Sequence, residues 1–322
     1  MSPILSTRDL RVTFPTLAGK VLAVRGVNLD VERGEVVGIV GESGSGKSVS
    51  FLSIMGLLPS TAIITGSAML GGTELIGADD KTIRSVRGKR MAMIFQDPLS
   101  ALNPVRRIGD QIVEMILAHQ AIPKQQAQKR ACELLDLVGL PQPELRAKQY
   151  PHEFSGGMRQ RVMIAMAIAN EPDVLVADEP TTALDVTVQA QILDVLMEVK
   201  SRLNTAVVFI THDLGVIARI ADRVEVMYAG MTVERAQVND MFATPGHPYT
   251  RGLMASLPQV GRQRLQPIVG SPPNMIAPPS GCAFRPRCSE ATDDCSSAPM
   301  TLVRVGMTET ACVRAQHDGA RT

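Results

Sequence analysis

The stretch Glu35-Val-Val-Gly-Ile-Val-Gly-Glu-Ser-Gly-Ser-Gly-Lys-Ser48 decides the fold. Its first half, Glu35–Val40, is an apolar run of strand length that stops at a glycine-rich loop, the pattern of a buried strand. Its second half, Gly41–Ser48, matches G-x-x-x-x-G-K-[ST], and the apolar segment Val49–Leu58 predicts a helix ending at Pro59. Strand, loop and helix in that order make a cradle for a polyphosphate. Gly41, Gly44 and Gly46, with Ser43 and Ser45 between them, let the backbone turn its N–H groups and the helix N-terminus toward negative oxygens. Lys47 would reach the β- and γ-phosphates, and the Ser48 hydroxyl would ligate Mg²⁺. The plainer alternative, a flexible Gly/Ser turn, does not call for a strand before it and a helix after it.

Outward from that stretch the chain alternates strands and helices. Residues 4–14 and 21–31 read as short strands joined by the Pro15–Gly19 turn, and Arg90–Phe95 as a strand leading into Gln96-Asp97-Pro98. From about Ile108 to Asn170 the periodicity is helical, interrupted near Pro123 and Gly139–Pro143. Strand and helix then alternate again through Asp173–Asp178, Val186–Leu203, Thr205–Ile210, Leu214–Ile220 and Arg223–Tyr228. The pattern predicts an α/β fold with a parallel sheet and an inserted helical subdomain at about 98–170. After about Leu257 periodicity gives way to Pro, Gly and Cys, which places a domain boundary between 1–256 and 257–322.

Composition narrows the function. The 322 residues carry 33 Lys+Arg against 32 Asp+Glu, a net charge of +1, so no basic excess points to nucleic acid. No stretch reaches the roughly 18 apolar residues that span a bilayer, and the N-terminal segment has no signal peptide's apolar run. Five cysteines in a chain of this length do not make a secreted disulfide scaffold, so a cytoplasmic setting is expected. Aromatic residues are only 3%, which leaves the core to Val, Ile, Leu, Ala and Met.

Two further segments carry chemistry. Val174-Leu-Val-Ala-Asp178-Glu179 is a buried strand that delivers two carboxylates to a sheet edge. Alone it would read as a solvated strand end. Beside a phosphate loop, Asp178 is a candidate Mg²⁺ ligand, and Glu179 the base that orients and deprotonates an attacking water. Phe154-Ser-Gly-Gly-Met-Arg-Gln-Arg161 opens a helix with Ser155 as N-cap, and Gly156 and Gly157 leave its first N–H groups open to an anion. On its own it is equally a simple capped helix start.

The set as a whole resembles the ATP-binding-cassette ATPases: the loop at 41–48, Gln96, Ser155-Gly-Gly, Asp178-Glu179, Ala183-Leu-Asp185 and Thr211-His212-Asp213, in one order. The likeness covers residues 4 to about 256 and implies a P-loop core with an antiparallel β subdomain, binding ATP and Mg²⁺. It implies that Gln96 touches Mg²⁺ and the attacking water while sensing a membrane subunit, and that His212 hydrogen-bonds the γ-phosphate and holds Glu179. Asp185 would be the loop residue facing a second cassette, and Ser155-Gly156-Gly157 would complete that second cassette's site. Phe14 is either an adenine-stacking residue or a core residue.

Within that family several phrases are similar to the dipeptide/oligopeptide importer ATPases, closest to their D-type subunit. They are Met93-Ile-Phe-Gln-Asp-Pro-Leu-Ser-Ala-Leu-Asn-Pro104, Asp178-Glu-Pro-Thr-Thr-Ala-Leu-Asp-Val-Thr187, His247-Pro-Tyr-Thr250 and a tail beginning Gly281-Cys-Ala-Phe-Arg-Pro-Arg-Cys288. This implies an ATPase at the cytoplasmic face of a membrane, paired with a related cassette, two permease subunits and an external solute-binding protein. A nickel, glutathione or other small-solute importer is the alternative within transport, and a soluble cassette acting on DNA or ribosomes the alternative outside it.

Cys282, Cys288, Cys295 and Cys312 follow C-x5-C-x6-C-x16-C, which fits zinc, an iron–sulfur cluster or four unlinked thiols. The resemblance puts a structural [4Fe–4S] cluster first and Zn²⁺ second, fixing a tail packed on the partner cassette. Cys132 stands apart in the helical Gln125–Val138 segment.

Overall fold

The computed structural model describes residues 2–182, 184–256, 267–297 and 299–319. Strands form where the sequence alternates or runs apolar. The first six are β1 Leu5–Thr16, β2 Gly19–Val31, β3 Val36–Val40, β4 Ile63–Leu70, β5 Thr73–Glu74 and β6 Met91–Ile94. They are followed by β7 Val174–Asp178, β8 Ala206–Thr211, β9 Arg223–Tyr228, β10 Met231–Gln237, β11 Val303–Val305 and β12 Thr308–Thr310.

The chain divides into two compact units. One comprises Met1–Ile4, Val31–Glu35 and Ala78–Phe209; the other comprises Leu5–Asp30, Val36–Gly77 and Ile210–Thr322. In the first unit the strands run β8-β7-β6, with β6 and β7 parallel from Met91↔Val174 to Ile94↔Ala177. Every residue of β7 is buried. Asp173, just before it, pairs with Arg90 at 2.8 Å and Arg33 at 3.0 Å. The helical insertion holds Ile108–Leu117, Lys124–Leu137 and Gly156–Ala167. Ile108, Ile112 and Ile116 on the first of these, and Ala127, Ala131, Leu134 and Leu135 on the second, are the buried faces that helical spacing requires. Pro123 caps the second helix, and Gly139, in the left-handed region at φ 72°, follows its last turn.

The second unit holds two sheets. One runs β2-β1-β4-β5, with β1 and β4 antiparallel, as the resemblance implies. In the other the strands run β11-β12-β10-β9-β3. There β3 and β9 are parallel, and the β9–β10, β10–β12 and β11–β12 pairs are antiparallel. The helix after the glycine loop spans Lys47–Ile54, starting inside the motif and stopping four residues before Leu58. Gly56 at φ 62° reverses the chain there, so the helix ends before Pro59 is reached.

The expected junction at 256/257 abuts residues 257–266, which lie outside the described residues. Where the tail is described, it packs on its own unit. Leu22 N–H donates to Met275 O at 2.9 Å, Phe284 meets Tyr228 edge-on at 5.3 Å, and β12 pairs with β10.

Gly38 in β3 shows how tightly the sheet is covered. A Cβ there would lie 2.8 Å from Ile217 Cδ1 and 2.9 Å from its Cγ2. Gly38→Ala is expected to destabilise the protein by about 1–3 kcal/mol through overpacking. On an Ile217→Ala background the same change should cost measurably less, and urea unfolding of the four-member mutant cycle checks the coupling.

Candidate nucleotide site

The phosphate-type loop belongs to the second unit. Gly41 sits at φ 153°, Gly44 at φ 77° and Gly46 at φ 96°, conformations that glycine adopts without a Cβ clash. At Gly41 a Cβ would run into the Met227 carbonyl oxygen, and at Gly46 it would lie 2.5 Å from Ala23 O. At Gly44 a Cβ would meet nothing within 4 Å, so the middle of the loop faces open space. Lys47 is buried, and its Nζ donates to Gly41 O at 2.7 Å and Glu42 O at 3.0 Å. Ser43 is exposed, Ser45 is buried with its Oγ lacking a partner, and Ser48 is half-buried. A Gly-rich loop with an open centre, a lysine at its base and a helix beginning at that lysine can accept a polyphosphate.

Two other predicted residues lie in the same unit. His212 is exposed just after β8, and Asp213 next to it caps the helix Leu214–Ile220 by accepting from Gly215 N–H at 2.8 Å. Phe14 is half-buried on β1.

The first unit gathers the carboxylates. Asp178 is the buried last residue of β7. Glu179 takes φ 48°, a left-handed conformation uncommon outside glycine. Its Oε2 accepts from Gln96 Nε2 at 3.1 Å and from Thr182 Oγ1 at 2.9 Å. Gln96 and Glu179, 83 residues apart in sequence, are thus brought together. Thr182 is a contributor that sequence reading missed, although it lies inside the Asp178–Thr187 phrase.

Ser155 caps the helix Gly156–Ala167, its Oγ accepting from Met158 N–H at 3.4 Å. Ser155 and Gly156 are exposed, and Gly157 is fixed as glycine because a Cβ would lie 2.5 Å from Val188 Cγ1. Asp185 caps Val186–Leu203 through Val188 N–H at 2.9 Å and is exposed, as is Val186 beside it. Ala183 of the same phrase lies outside the described residues.

The family described as ABC transporter matches residues 24–182, and the one described as oligopeptide/dipeptide transporter, C-terminal region, matches 233–295. An oligopeptide transport ATP-binding protein of Bacillus subtilis is 51% identical over 293 residues, covering 89% of this chain and 82% of that protein. The chain belongs to the ABC transporter ATPases. A similarly named protein of Salmonella typhimurium is 48% identical over 92% of this chain and 89% of its own length. One of Mycobacterium tuberculosis is 52% identical over 98% of this chain, and the chain spans only 52% of its length. Among solved structures, a dimeric ATP-binding cassette bound to ADP and Pi is 28% identical, with a TM-score of 0.65 over 73% of this chain and 98% of its own. The strands and helices described above are therefore those of an ABC ATPase.

In this ABC ATPase three of the four tail cysteines, Cys282, Cys288 and Cys295, fall within the matched C-terminal region, and Cys312 lies beyond it. Cys282 N–H donates to Cys295 O at 2.8 Å, and Cys295 and Cys312 are close enough to Cys282 and Cys288 to help raise their thiol pKa values. Burial pushes the Cys282 thiol up to about 11 and raises Cys288 and Cys312 as well. Among the described residues no group of three or more His, Cys, Asp or Glu is arranged to hold a metal. The cysteines share a neighbourhood without forming a ligand set.

His247 closes the base of the second unit. It is fully buried, its Nδ1 accepts from Tyr249 N–H at 3.1 Å, and Tyr249 Oη accepts from Glu42 N–H of the glycine loop at 2.8 Å. Burial, aided by nearby Arg251, drives the His247 pKa down to about 3. The unfolded chain binds that proton near pH 6.5 and the folded chain does not, so this stability is complete above pH 6.5 and is lost as pH falls toward 3. The expected slope is up to about 1.4 kcal/mol per pH unit. His247→Asn keeps an acceptor for Tyr249 N–H without titrating. Urea unfolding between pH 6 and pH 4 should give a flatter stability profile for it than for the wild type.

Proposed function

We propose that the chain is an ATP-hydrolysing subunit that powers import of peptides, working at the cytoplasmic face of a membrane as one of two non-identical cassettes on two permease subunits. A solute-binding protein outside the membrane would deliver the peptide. The peptide assignment rests on the names of the relatives, oligopeptide and dipeptide transport ATP-binding proteins, and on the matched C-terminal region. Attachment through partners fits a chain in which no described helix is long and apolar enough to cross a membrane.

The observation that carries the chemistry is Glu179 held by Gln96 and Thr182 at the end of a buried strand. In this reading Glu179 orients water and accepts its proton, and Gln96 reports on that carboxylate to a membrane subunit. Lys47 and the loop Gly41, Ser43, Gly44, Ser45 and Gly46 take the phosphates, Ser48 and Asp178 hold Mg²⁺, and His212 contacts the γ-phosphate. Phe14 stacks on adenine. Ser155, Gly156, Gly157 and Asp185 serve the partner cassette's nucleotide, a role that suits the exposure of Ser155, Gly156 and Asp185. Glu179→Gln should keep ATP binding in the assembled transporter and lower hydrolysis by about two or more orders of magnitude. Hydrolysis near the wild-type rate, with peptide uptake intact, would remove Glu179 from this role.

For the tail, Cys282, Cys288, Cys295 and Cys312 are proposed as ligands of a [4Fe–4S] cluster, with Zn²⁺ as second choice. Their shared, partly buried neighbourhood supports the reading, and binding would require the thiols to lose their protons. Protein purified without oxygen should be brown and contain about four irons and four sulfides per chain. Colourless protein with one zinc would give the site to zinc, and metal-free protein would end the proposal.

A further inference from the structure

The glycine loop is gripped from outside by the tail. Glu42, its second residue, carries three attachments. Its N–H donates to Tyr249 Oη at 2.8 Å, and its carbonyl accepts from Lys47 Nζ at 3.0 Å. Its carboxylate is taken by the Arg287 guanidinium in a two-pronged pair, Nη1 to Oε2 at 2.6 Å and Nη2 to Oε1 at 2.9 Å. Arg287 is the last residue of the short turn Arg285–Arg287 and the immediate neighbour of Cys288.

This is no loose surface pair. The Arg287 side chain is only 5% exposed. Its remaining donors go to Val269 O at 3.0 Å, Tyr228 Oη at 3.3 Å and Ile268 O at 3.4 Å. The guanidinium also lies 5.9 Å from the Tyr228 ring centre and 5.8 Å from that of Phe284, within cation–π reach. Tyr228, Tyr249 and Phe284 pack ring on ring at 4.6–5.3 Å beneath it. A planar fork fixed on five partners sets the position of the carboxylate it holds, which a single flexible cation would not do. Glu42 in turn supplies one of the two carbonyls on Lys47 Nζ, so the geometry runs from tail to guanidinium to carboxylate to the loop lysine.

We propose that Arg287 is a positioning residue for the nucleotide site: through Glu42 it holds the phosphate loop in its binding shape, making the C-terminal extension part of the machinery that sets nucleotide affinity. The proposal rests on the reading of Gly41–Ser48 as the ATP loop. It follows that loosening the tail at Arg287 weakens ATP binding.

The test measures binding of a fluorescent ATP analogue with Mg²⁺ to the full-length chain, with circular dichroism confirming the fold of each variant. Arg287→Gln and Glu42→Gln should each weaken binding about tenfold or more, and the double variant should be no weaker than the weaker single one. Arg287→Lys, which keeps the charge but not the planar fork, should recover part of the loss. Glu290→Gln removes the tail's own pairs with Arg251 and Arg314, which do not touch the loop, and should bind as wild type. If Arg287→Gln does not fold, Glu42→Gln against Glu290→Gln carries the comparison. Wild-type affinity in Arg287→Gln or Glu42→Gln, additive losses, or an equal loss in Glu290→Gln would each overturn the proposal. Lys47→Ala separates the two levels: if it weakens binding while Arg287→Gln does not, only the latch fails. If the wild type binds no nucleotide, the reading of the loop fails with it.

Discussion

The second unit depends on two places where backbone meets backbone with no room for a side chain. Gly41 lies against the Met227 carbonyl at the end of β9, and Gly46 against Ala23 O on β2. Between them Gly230 N–H donates to Ser45 O at 3.0 Å, and Arg25 N–H donates to Gly230 O at 2.7 Å. One run of close contacts therefore joins the antiparallel sheet, the β9–β10 turn and the glycine loop. These backbone contacts act on the Gly41 and Gly46 ends of the loop, and the Arg287 pair acts on Glu42 between them. The loop's shape is held by the same strands that fill the core, and so is the N-terminus of the helix that begins at Lys47.

The first unit solves a different problem, keeping a carboxylate in an unfavourable backbone conformation. A non-glycine residue in the left-handed region costs about 1–3 kcal/mol. Hydrogen bonds to its carboxylate help to hold the residue in that conformation. Glu179 has such bonds from Gln96 and Thr182, and β7 just before it is buried throughout. The strain sits at the residue proposed to handle the proton, which points its side chain off the strand's regular alternation.

Much of this could be read from residue order. The runs 35–40, 173–178 and 205–210 became strands because continuous Val, Ile and Leu segments bounded by Gly, Asp or Thr have few other stable uses. Val186–Leu203 and Leu214–Ile220 match their expected bounds, since Asp185 and Asp213 supply clear N-caps, and the strand Arg223–Tyr228 matches too. The glycine positions and the Asp178-Glu179 pair were likewise visible as motif. What could not be read was long-range or brief. The Gln96–Glu179 bond links residues whose sequence separation hides it. Strands β11 and β12, three residues each, are too short to show alternation, and so the tail looked structureless. Arg287 looked like one charge among several in Phe284-Arg-Pro-Arg, and nothing nearby marks Glu42 as its partner.

Those two short strands have a consequence of their own. Strand β10 would otherwise form the open rim of its unit's sheet, its outward-facing peptide groups able to recruit a foreign strand. The tail covers it: Glu234 pairs with Thr310, Arg235 with Glu309, and Ala311 N–H donates to Val233 O at 2.9 Å. Beyond it lies β11, only three residues long and carrying Arg304, a poor template for further growth. A chain lacking residues 303–310 would leave Glu234 and Arg235 without these strand partners, an edge open to self-association.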